Sequence, residues 1–307
     1  MQQSQHILGS FMVNNNNSYG KIIFLTIPIG NLGDITLNVL NCLKGPGNFA
    51  VEDSRSFKKL LGLLECNLSG KNIYSFHDQS DKRAIETFVS ILKKGEDVFI
   101  CSEAGSPCIS DPGVGFLKSV QAELSMVKVY SHGGVSSVHS ALENSGVLFN
   151  RYCYWGFSPR SNTERLNLLQ KMSAIGGAHV IFESPHRIKE TLNFIKEYGG
   201  SVSPDEIFVC RELTKKYQEI TKLHKYSMFS EMEKITIKGE FVFVFNYLNS
   251  NVSLKNMVNG VDLSSLIDRV MSDKVNLKDI SKLIAAYSGI KSKTVYNLLS
   301  KKFTKLS

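Results

Sequence analysis

Short apolar segments alternate with longer amphipathic segments along the first half of this chain. The apolar segments are rich in β-branched and aromatic residues, which favours strands, and the amphipathic segments have the period of helices. The predicted strands are 21–29, 49–51, 97–102 and 127–130, and the predicted helices are 56–64, 84–94, 115–124 and 136–144. Asp34 is also the predicted N-cap of a helix that starts near Ile35. Strands separated by helices predict a mostly parallel sheet that is covered on both faces.

A second series of the same kind follows, and the chain then ends in helical patterns alone. The second series has predicted strands at 152–157, 179–182, 207–210 and 241–245 and predicted helices at 165–172 and 186–197. The helical patterns at the end are 263–271, 277–287 and 293–301, where Gly289 ends one helix and Ser292 caps the next. The predicted fold class is therefore α/β, with two α/β domains and a small C-terminal helical domain.

These patterns divide the chain into four predicted parts. They are a polar leader at 1–20 that we expect to be disordered, an α/β domain at 21–132, a second α/β domain with a linker helix at 133–250, and a basic helical domain with helix-turn-helix character at 251–307. The last 47 residues hold nine Lys or Arg and four Asp, so they carry +5 of the formal net charge of +8. A basic domain attracts an acidic polymer such as a nucleic acid, although it can also serve only solubility.

Composition and motif content exclude several classes of protein. The chain has 307 residues, of which 42% are hydrophobic, and no apolar run reaches the ~18–20 residues that cross a bilayer. The N-terminus does not read as a secretory signal, so we expect a cytoplasmic protein without a membrane partner. The six cysteines lack the paired spacing of a zinc or redox motif and are expected to be free thiols. Dinucleotide, P-loop and HExxH motifs are also missing, and we expect no metal.

Three loops rich in Gly, Pro and Ser follow predicted strands of the first domain. They are 26–31, 102–113 and 132–137. In open parallel sheets, ligands bind at the carboxyl ends of the strands, and small residues let a ligand approach the backbone closely. The sequence therefore predicts a ligand site formed by these three loops.

Six segments carry an ordered set of motifs, namely 26–36, 52–55, 102–113, 182–187, 211–215 and 238–241. Together they resemble the ribosomal RNA small subunit methyltransferase I family, which belongs to the tetrapyrrole-methylase superfamily, and the resemblance runs from about Lys21 to Phe303. It implies that S-adenosylmethionine binds in a cleft between two α/β domains and that the protein is a homodimer. It also implies methylation of the ribose 2′-hydroxyl of a cytidine in the decoding region of 16S rRNA, within the small ribosomal subunit.

The resemblance assigns roles to particular residues. Expected cofactor-binding residues are Pro28, Ser102, Glu103, Ala104, Gly105, Ile109, Ser110, Asp111, Ser136 and Phe182. Expected catalytic residues are His186, Glu183 and Arg55, and expected RNA-binding residues are Arg187, Arg211, Lys215 and Lys216. Structural alternatives stay open at this stage: Asp111 or His186 can cap a helix, and Asp53 with Arg55 can form a surface ion pair of little energetic value.

The sequence departs from the family pattern at several positions. The usual SDAGTP has Glu103 and Ser106 in place of Asp and Thr, the usual PGPSA has lost both prolines at 133–137, and Phe182 replaces a tyrosine. Two other functions therefore remain open. One is a C-methylase of a tetrapyrrole or corrin precursor, and the other is an RNA-binding ribosome assembly factor with little or no catalysis.

Overall fold

The structure is a computed structural model that describes residues 19–76, 82–224, 231–248, 276–288 and 291–303. Most of the predicted leader, the helical pattern at 263–271 and the helix stop at Gly289 lie outside these residues. The chain divides into two compact units. The first contains residues 1–140 and 212–218, and the second contains residues 141–211 and 219–307.

The first unit is built on a five-stranded sheet in which every pairing is parallel. The strands are β1 (Ile22–Leu25), β2 (Gly47–Val51), β3 (Lys71–Ser75), β4 (Val98–Cys101) and β5 (Val129–His132), in the order β3-β2-β4-β1-β5. The helices are α1 (Leu37–Lys44), α2 (Ser54–Leu63), α3 (Lys82–Lys93) and α4 (Gly113–Glu123), and α5 (Ser137–Ser145) contains the boundary between the units. This is the alternating α/β arrangement that the sequence predicts.

Two apolar clusters on the helices and strands hold the first unit together. One cluster contains Phe88 and Phe116, whose rings meet edge to face at 4.8 Å, and the other contains Phe49 and Phe57 at 5.4 Å. Burial of such aromatic side chains is the main stabilising contribution available to a core. The strands between the two clusters are buried on both faces, which explains their continuous apolar sequence.

The second unit is built on a mixed five-stranded sheet. Its strands are β6 (Tyr152–Phe157), β7 (Gly177–Glu183), β8 (Glu206–Arg211), β9 (Glu219–His224) and β10 (Phe241–Tyr247), in the order β6-β7-β10-β8-β9. Strands β6 and β7 are parallel and the remaining pairs are antiparallel. Helices α6 (Asn162–Ile175) and α7 (Ile188–Tyr198) belong to this unit, as do α8 (Leu277–Ser288) and α9 (Ser292–Phe303).

Some local predictions differ from the structure. Asp34 is not the N-cap of α1, because it lies in a short 3-10 turn (Leu32–Asp34) and Thr36 caps α1 by accepting a hydrogen bond from the Val39 amide. Strands β3 and β9 are missing from the predictions because both lie at sheet edges, where polar side chains interrupt the apolar pattern. Ser292 is the first residue of α9 rather than a cap outside it.

The six cysteines are free thiols, as expected. Among the helices of the described residues, none combines the length and the apolar character that a membrane span requires.

A buried histidine occupies the core of the second unit. The Trp155 indole Nε1 donates a hydrogen bond of 3.0 Å to Nδ1 of His179, and the Tyr247 ring packs edge to face on the imidazole. His179 is fully buried, and this burial lowers its pKa to about 4. The imidazole is therefore neutral at pH 7 and is a structural acceptor for Trp155.

The depressed pKa of His179 predicts acid sensitivity of the fold. In the unfolded chain a histidine binds a proton below about pH 6.5, whereas folded His179 does so only near pH 4. The unfolded state therefore gains protons first, and the free energy of unfolding should fall by about 1–2 kcal/mol between pH 7 and pH 5. Urea unfolding of the protein at both values tests this.

Substitution His179→Gln should lower stability at pH 7 and reduce the loss between pH 7 and pH 5. The exposed His186→Gln is the matched control and should keep that loss. Equal pH dependence in the protein and in His179→Gln would show that another group controls acid stability.

Candidate cofactor and substrate site

The carboxyl ends of four parallel strands meet at one edge of the sheet in the first unit. Val51 of β2 pairs with Cys101 of β4, and Leu25 of β1 pairs with His132 of β5. The residues that follow these strands are therefore neighbours, although they are far apart in the sequence. This edge brings together the three predicted loops 26–31, 102–113 and 132–137, with Glu52 beside them.

Two of the loops are joined by a pair of backbone hydrogen bonds. The Ile27 amide donates to the Gly105 carbonyl at 3.0 Å, and the Gly105 amide donates to the Ile27 carbonyl at 3.1 Å. Gly105 has a φ of 73°, which favours glycine, and the buried Ser102 hydroxyl donates to the carbonyl of Ala104 at 3.1 Å. Pro28, Ser102 and Gly105 are buried, whereas Glu103 and Ala104 are exposed, so only the middle of the segment 102–105 is accessible to a ligand.

The second half of the middle loop folds back on itself. The Gly113 amide donates to the Pro107 carbonyl at 2.9 Å, and a side chain at Gly113 would overlap that carbonyl. Ser110 has a φ of 64°, and Ile109 is 40% exposed. Asp111 does not cap α4, because the N-cap is Pro112 and no side chain caps this helix. The alternative role of Asp111 as a helix cap is therefore wrong.

Three carboxylates lie together at this edge. A Glu52 carboxylate oxygen accepts a hydrogen bond from the Glu103 amide at 3.4 Å, and both glutamates act electrostatically on Asp111. The pKa of Asp111 is raised to about 6, mainly by burial and also by the negative charges of Glu52 and Glu103, while its hydrogen bond with Ser102 lowers it. This arrangement is suited to a cationic ligand, which would relieve the repulsion among the carboxylates.

The third loop lies next to the first. The Thr26 amide donates to the His132 carbonyl at 3.0 Å, and the Thr36 hydroxyl donates to the Gly133 carbonyl at 3.3 Å. A Cβ atom at position 133 would have no neighbouring atom within 4 Å, so packing does not require glycine there. Ser136 lies half-buried immediately before α5.

Asp53 and Arg55 follow β2 on the same edge. The Asp53 carboxylate caps α2 by accepting the amides of Arg55 and Ser56 at 2.7 and 2.8 Å, and these bonds lower its pKa. The Arg55 guanidinium lies 3.3 Å from Asp53 and its side chain is 92% exposed. The structure thus shows the surface ion pair, and a catalytic role for Arg55 stays a prediction.

Glu183 and Arg187 form hydrogen bonds and an ion pair with backbone groups and side chains of the second unit. The buried Glu183 carboxylate accepts the Thr191 hydroxyl at 2.6 Å and the Ser184 amide at 2.8 Å. Arg187 donates to the carbonyls of Ser158 and Pro159 and lies 3.6 Å from Glu183. These contacts hold the end of β7 and the start of α7 in one conformation.

The neighbouring predicted residues are more accessible. His186 is exposed in a 3-10 turn (Pro185–Arg187), and the Phe182 ring packs edge to face on Tyr154 and Phe157. Their catalytic and cofactor-binding roles stay predictions.

Arg165 is a structural residue that the sequence patterns do not single out. It is 3% exposed, pairs with Glu190 at 2.6 Å and donates to the Pro159 carbonyl at 3.0 Å. Together with Arg187 it fixes the turn that precedes α6. No sequence signal separates it from a solvated arginine on an amphipathic helix.

The predicted RNA-binding residues Arg211, Lys215 and Lys216 stand in two settings. Arg211 donates to the Lys238 carbonyl at 2.6 Å and lies 3.5 Å from Glu219, so it is engaged within the second unit. Lys215 belongs to the first unit and pairs with Glu212 at 3.0 Å. Lys216 is exposed and lies over the Tyr217 ring.

In the part of the chain that the structure describes, no three His, Cys, Asp or Glu side chains are grouped closely enough to hold a metal ion.

The buried position of Glu183 predicts a structural cost when it is removed. Glu183→Ala should lower the free energy of unfolding by about 3 kcal/mol, because it leaves the Thr191 hydroxyl and the Ser184 amide without their acceptor. Glu197→Ala, on the exposed face of α7, is the control and should change stability by less than about 0.5 kcal/mol. Chemical denaturation measures both, and an unchanged stability of Glu183→Ala would contradict the structural assignment.

Known proteins share both the sequence and the fold described above. Residues 21–225 match the family model of tetrapyrrole (corrin/porphyrin) methylases. The chain is 34% identical to a ribosomal RNA small subunit methyltransferase I from Thermotoga maritima, over 74% of this chain and 98% of that protein. It is 32% identical to the protein of the same name from a Hydrogenobaculum strain, over 75% of this chain and 97% of that protein.

Solved structures agree at the level of the fold. The methyltransferase CobJ superposes with a TM-score of 0.56 at 13% identity, covering 75% of this chain and 95% of CobJ. Diphthine synthase superposes with a TM-score of 0.55 at 13% identity, covering 74% of this chain and 90% of that protein. The predicted two-domain α/β fold and the predicted resemblance are thus confirmed, and the chain belongs to the tetrapyrrole (corrin/porphyrin) methylase family.

Proposed function

We propose that this protein transfers a methyl group from S-adenosylmethionine to ribosomal RNA. The observation that carries the proposal is the strand-end site of the first unit, where two hydrogen-bonded loops lie beside three carboxylates. Membership of a methylase family and the names of the relatives at 32–34% identity support the reaction and the RNA substrate.

The chemistry of the strand-end site fits this cofactor. S-adenosylmethionine carries a sulfonium and an α-amino group, and both positive charges are complementary to Glu52, Glu103 and Asp111. Backbone groups of Pro28, Ala104, Gly105 and Ile109 would line the pocket, with the side chains of Ser102, Ser110 and Ser136 and the Phe182 ring as further contacts. Gly105 has a φ of 73°, a left-handed conformation that favours glycine and lets the loop turn between the exposed Ala104 and the rest of the site.

The residues of this chain would act mainly by positioning. When bound, S-adenosylmethionine supplies an electrophilic methyl group on sulfur. The fixed loops would hold that group in line with the attacking oxygen, and alignment of this kind accounts for a large share of the rate in such displacements. The carboxylates would hold the cofactor amino group, and His186 is the proposed acceptor of the proton from the hydroxyl.

We further propose the ribose 2′-hydroxyl of a cytidine in the decoding region of 16S rRNA as the acceptor. The basic end of the chain, with nine Lys or Arg and four Asp in its last 47 residues, suits a phosphate backbone. Arg187, Arg211, Lys215 and Lys216 are the proposed RNA contacts outside it. We also propose a cytoplasmic homodimer that acts on the small ribosomal subunit. Light scattering of the purified protein measures the oligomeric state.

Transfer of labelled methyl groups to ribosomal subunits tests the proposal. The purified protein should methylate small subunits isolated from a strain that lacks the corresponding gene, and nucleoside mass spectrometry should find 2′-O-methylcytidine. Subunits from the wild-type strain are the control and should accept little label. Methylation of a tetrapyrrole precursor but not of subunits would favour the C-methylase function, and salt-dependent subunit binding without turnover would favour an assembly factor.

The pKa of Asp111 predicts pH-dependent binding of the cofactor. Above about pH 6 this carboxyl is ionised and attracts a cation, and below that value it is protonated. The affinity for S-adenosylmethionine, measured by calorimetry, should therefore weaken by about tenfold between pH 7.5 and pH 5.

Substitution Asp111→Asn should give the weak affinity at both pH values, because its amide does not titrate. Glu86→Gln on the exposed face of α3 is the control and should retain the pH dependence. A pH-independent affinity of the unsubstituted protein would show that Asp111 does not contact or sense the cofactor.

A further inference from the structure

A short segment between β8 and β9 packs with the first unit instead of the second. Residues 212–218 belong to the first unit, although the strands on either side of them lie in the sheet of the second. Two residues of this segment, Glu212 and Thr214, have positive φ values of 49° and 66°. Left-handed backbone is costly for a β-branched residue, so surrounding contacts must hold the segment in this shape.

The Lys215 side chain lies directly over Gly30. A Cβ atom placed on Gly30 would come closer than 3.0 Å to Cγ, Cδ and Cε of Lys215, so the methylene stem occupies the space that any other residue at position 30 would need. Gly30 itself has a φ of 152°, a conformation that also favours glycine. The stem of Lys215 and the glycine thus form a contact between segments about 185 residues apart in the chain.

Polar contacts hold Lys215 in this position. Its ammonium lies 3.0 Å from the Glu212 carboxylate, and both side chains are mostly buried, with 24% and 17% exposed. Within the segment, the Lys215 amide donates to the Glu212 carbonyl at 3.0 Å, and the Gln218 side chain accepts the Thr214 amide at 2.7 Å. The buried Thr214 hydroxyl has no hydrogen-bond partner, so this segment also leaves a polar group unsatisfied.

The loop that Lys215 covers is part of the strand-end site. Gly30 lies three residues after Ile27, whose backbone pairs with Gly105 of the middle loop. A displacement of the backbone at Gly30 would therefore move the Ile27–Gly105 pair and the exposed residues Glu103 and Ala104 beside it. The segment 212–218 holds the Lys215 stem against the loop 26–31, and this contact stabilises the loop before any ligand binds.

We propose that Lys215 is a positioning residue of the methyl-transfer site, and that its methylene stem, rather than its charge, holds the loop 26–31 in the conformation that binds the cofactor. This inference rests on the proposed function, since the loop is the proposed cofactor site. This role of the stem is separate from the RNA contact proposed for Lys215, because the ammonium lies 3.0 Å from Glu212 whereas the stem lies against Gly30.

Two substitutions of Lys215 separate the stem from the charge. Lys215→Ala removes both, and we expect its affinity for S-adenosylhomocysteine, measured by calorimetry, to fall by about tenfold. Lys215→Met keeps an unbranched stem of similar length without the ammonium, and its affinity should stay within about threefold of the unsubstituted protein. Lys94→Ala, an exposed lysine after α3, is the control and should bind normally.

Hydrogen exchange of the loop gives a readout that does not depend on the cofactor. Amides of residues 26–31 should exchange faster in Lys215→Ala than in Lys215→Met and the control, without any ligand present. Faster exchange in Lys215→Ala with unaltered ligand affinity would overturn the role of Lys215 in cofactor binding. Unaltered exchange in Lys215→Ala would show that the Lys215 stem does not hold the loop 26–31. Equal losses of affinity in the Met and Ala variants would show that the charge is what matters, which also contradicts the proposal.

The proposed function and this inference can fail separately. If the unsubstituted protein binds neither S-adenosylmethionine nor S-adenosylhomocysteine, the proposed function fails and so does the assignment of Lys215 to the methyl-transfer site. If it binds both and all three variants bind as well as it does, only the inference about Lys215 fails.

Discussion

The pair of backbone hydrogen bonds between Ile27 and Gly105 joins two loops that would otherwise be independent extensions of β1 and β4. Parallel strands bring the starts of these loops to one edge, but register alone does not fix the residues beyond the strands. Because backbone groups are obligatory donors and acceptors, the paired amides and carbonyls hold both loops at a defined separation. Glu103 and Asp111 lie in one of these loops and Gly30, which Lys215 contacts, lies in the other, so the pairing fixes the distance between these two parts of the site.

The two units use their charged residues differently. In the first unit, burial and the negative charges of the neighbouring glutamates raise the pKa of Asp111 to about 6, an arrangement that favours a cationic ligand. In the second unit Glu183, Arg187 and Arg165 are bonded to backbone groups and to neighbouring side chains such as Thr191 and Glu190, apart from one Arg165 nitrogen. These contacts hold the end of β7 and the turn before α6 in place. Residue type and motif membership therefore do not distinguish a residue that binds a ligand from one that holds the loop in place.

Most of the fold could be predicted from the sequence because strands and helices leave periodic apolar patterns. Strand β6 and the cores of β7, β8 and β10 lie where the patterns place them. The patterns missed the edge strands β3 and β9, because strands at a sheet edge are less buried and tolerate polar side chains. They also chose the wrong helix cap where two candidates, Asp34 and Thr36, lie two residues apart. The three loops of the candidate site were predictable because Gly, Pro and Ser follow strands there, whereas their contacts were not.

The sequence by itself determined the α/β class, the positions of the strand-end loops and the family, because each depends on local composition and order. Only the tertiary structure decided that Asp111 faces two glutamates, that Glu183 is buried against Thr191, and that Lys215 lies over Gly30. These relations join residues distant in the chain, and they arise from sheet register and from a segment that leaves one sheet to pack with the other unit. No local pattern encodes them, because their energies depend on which side chains meet after folding.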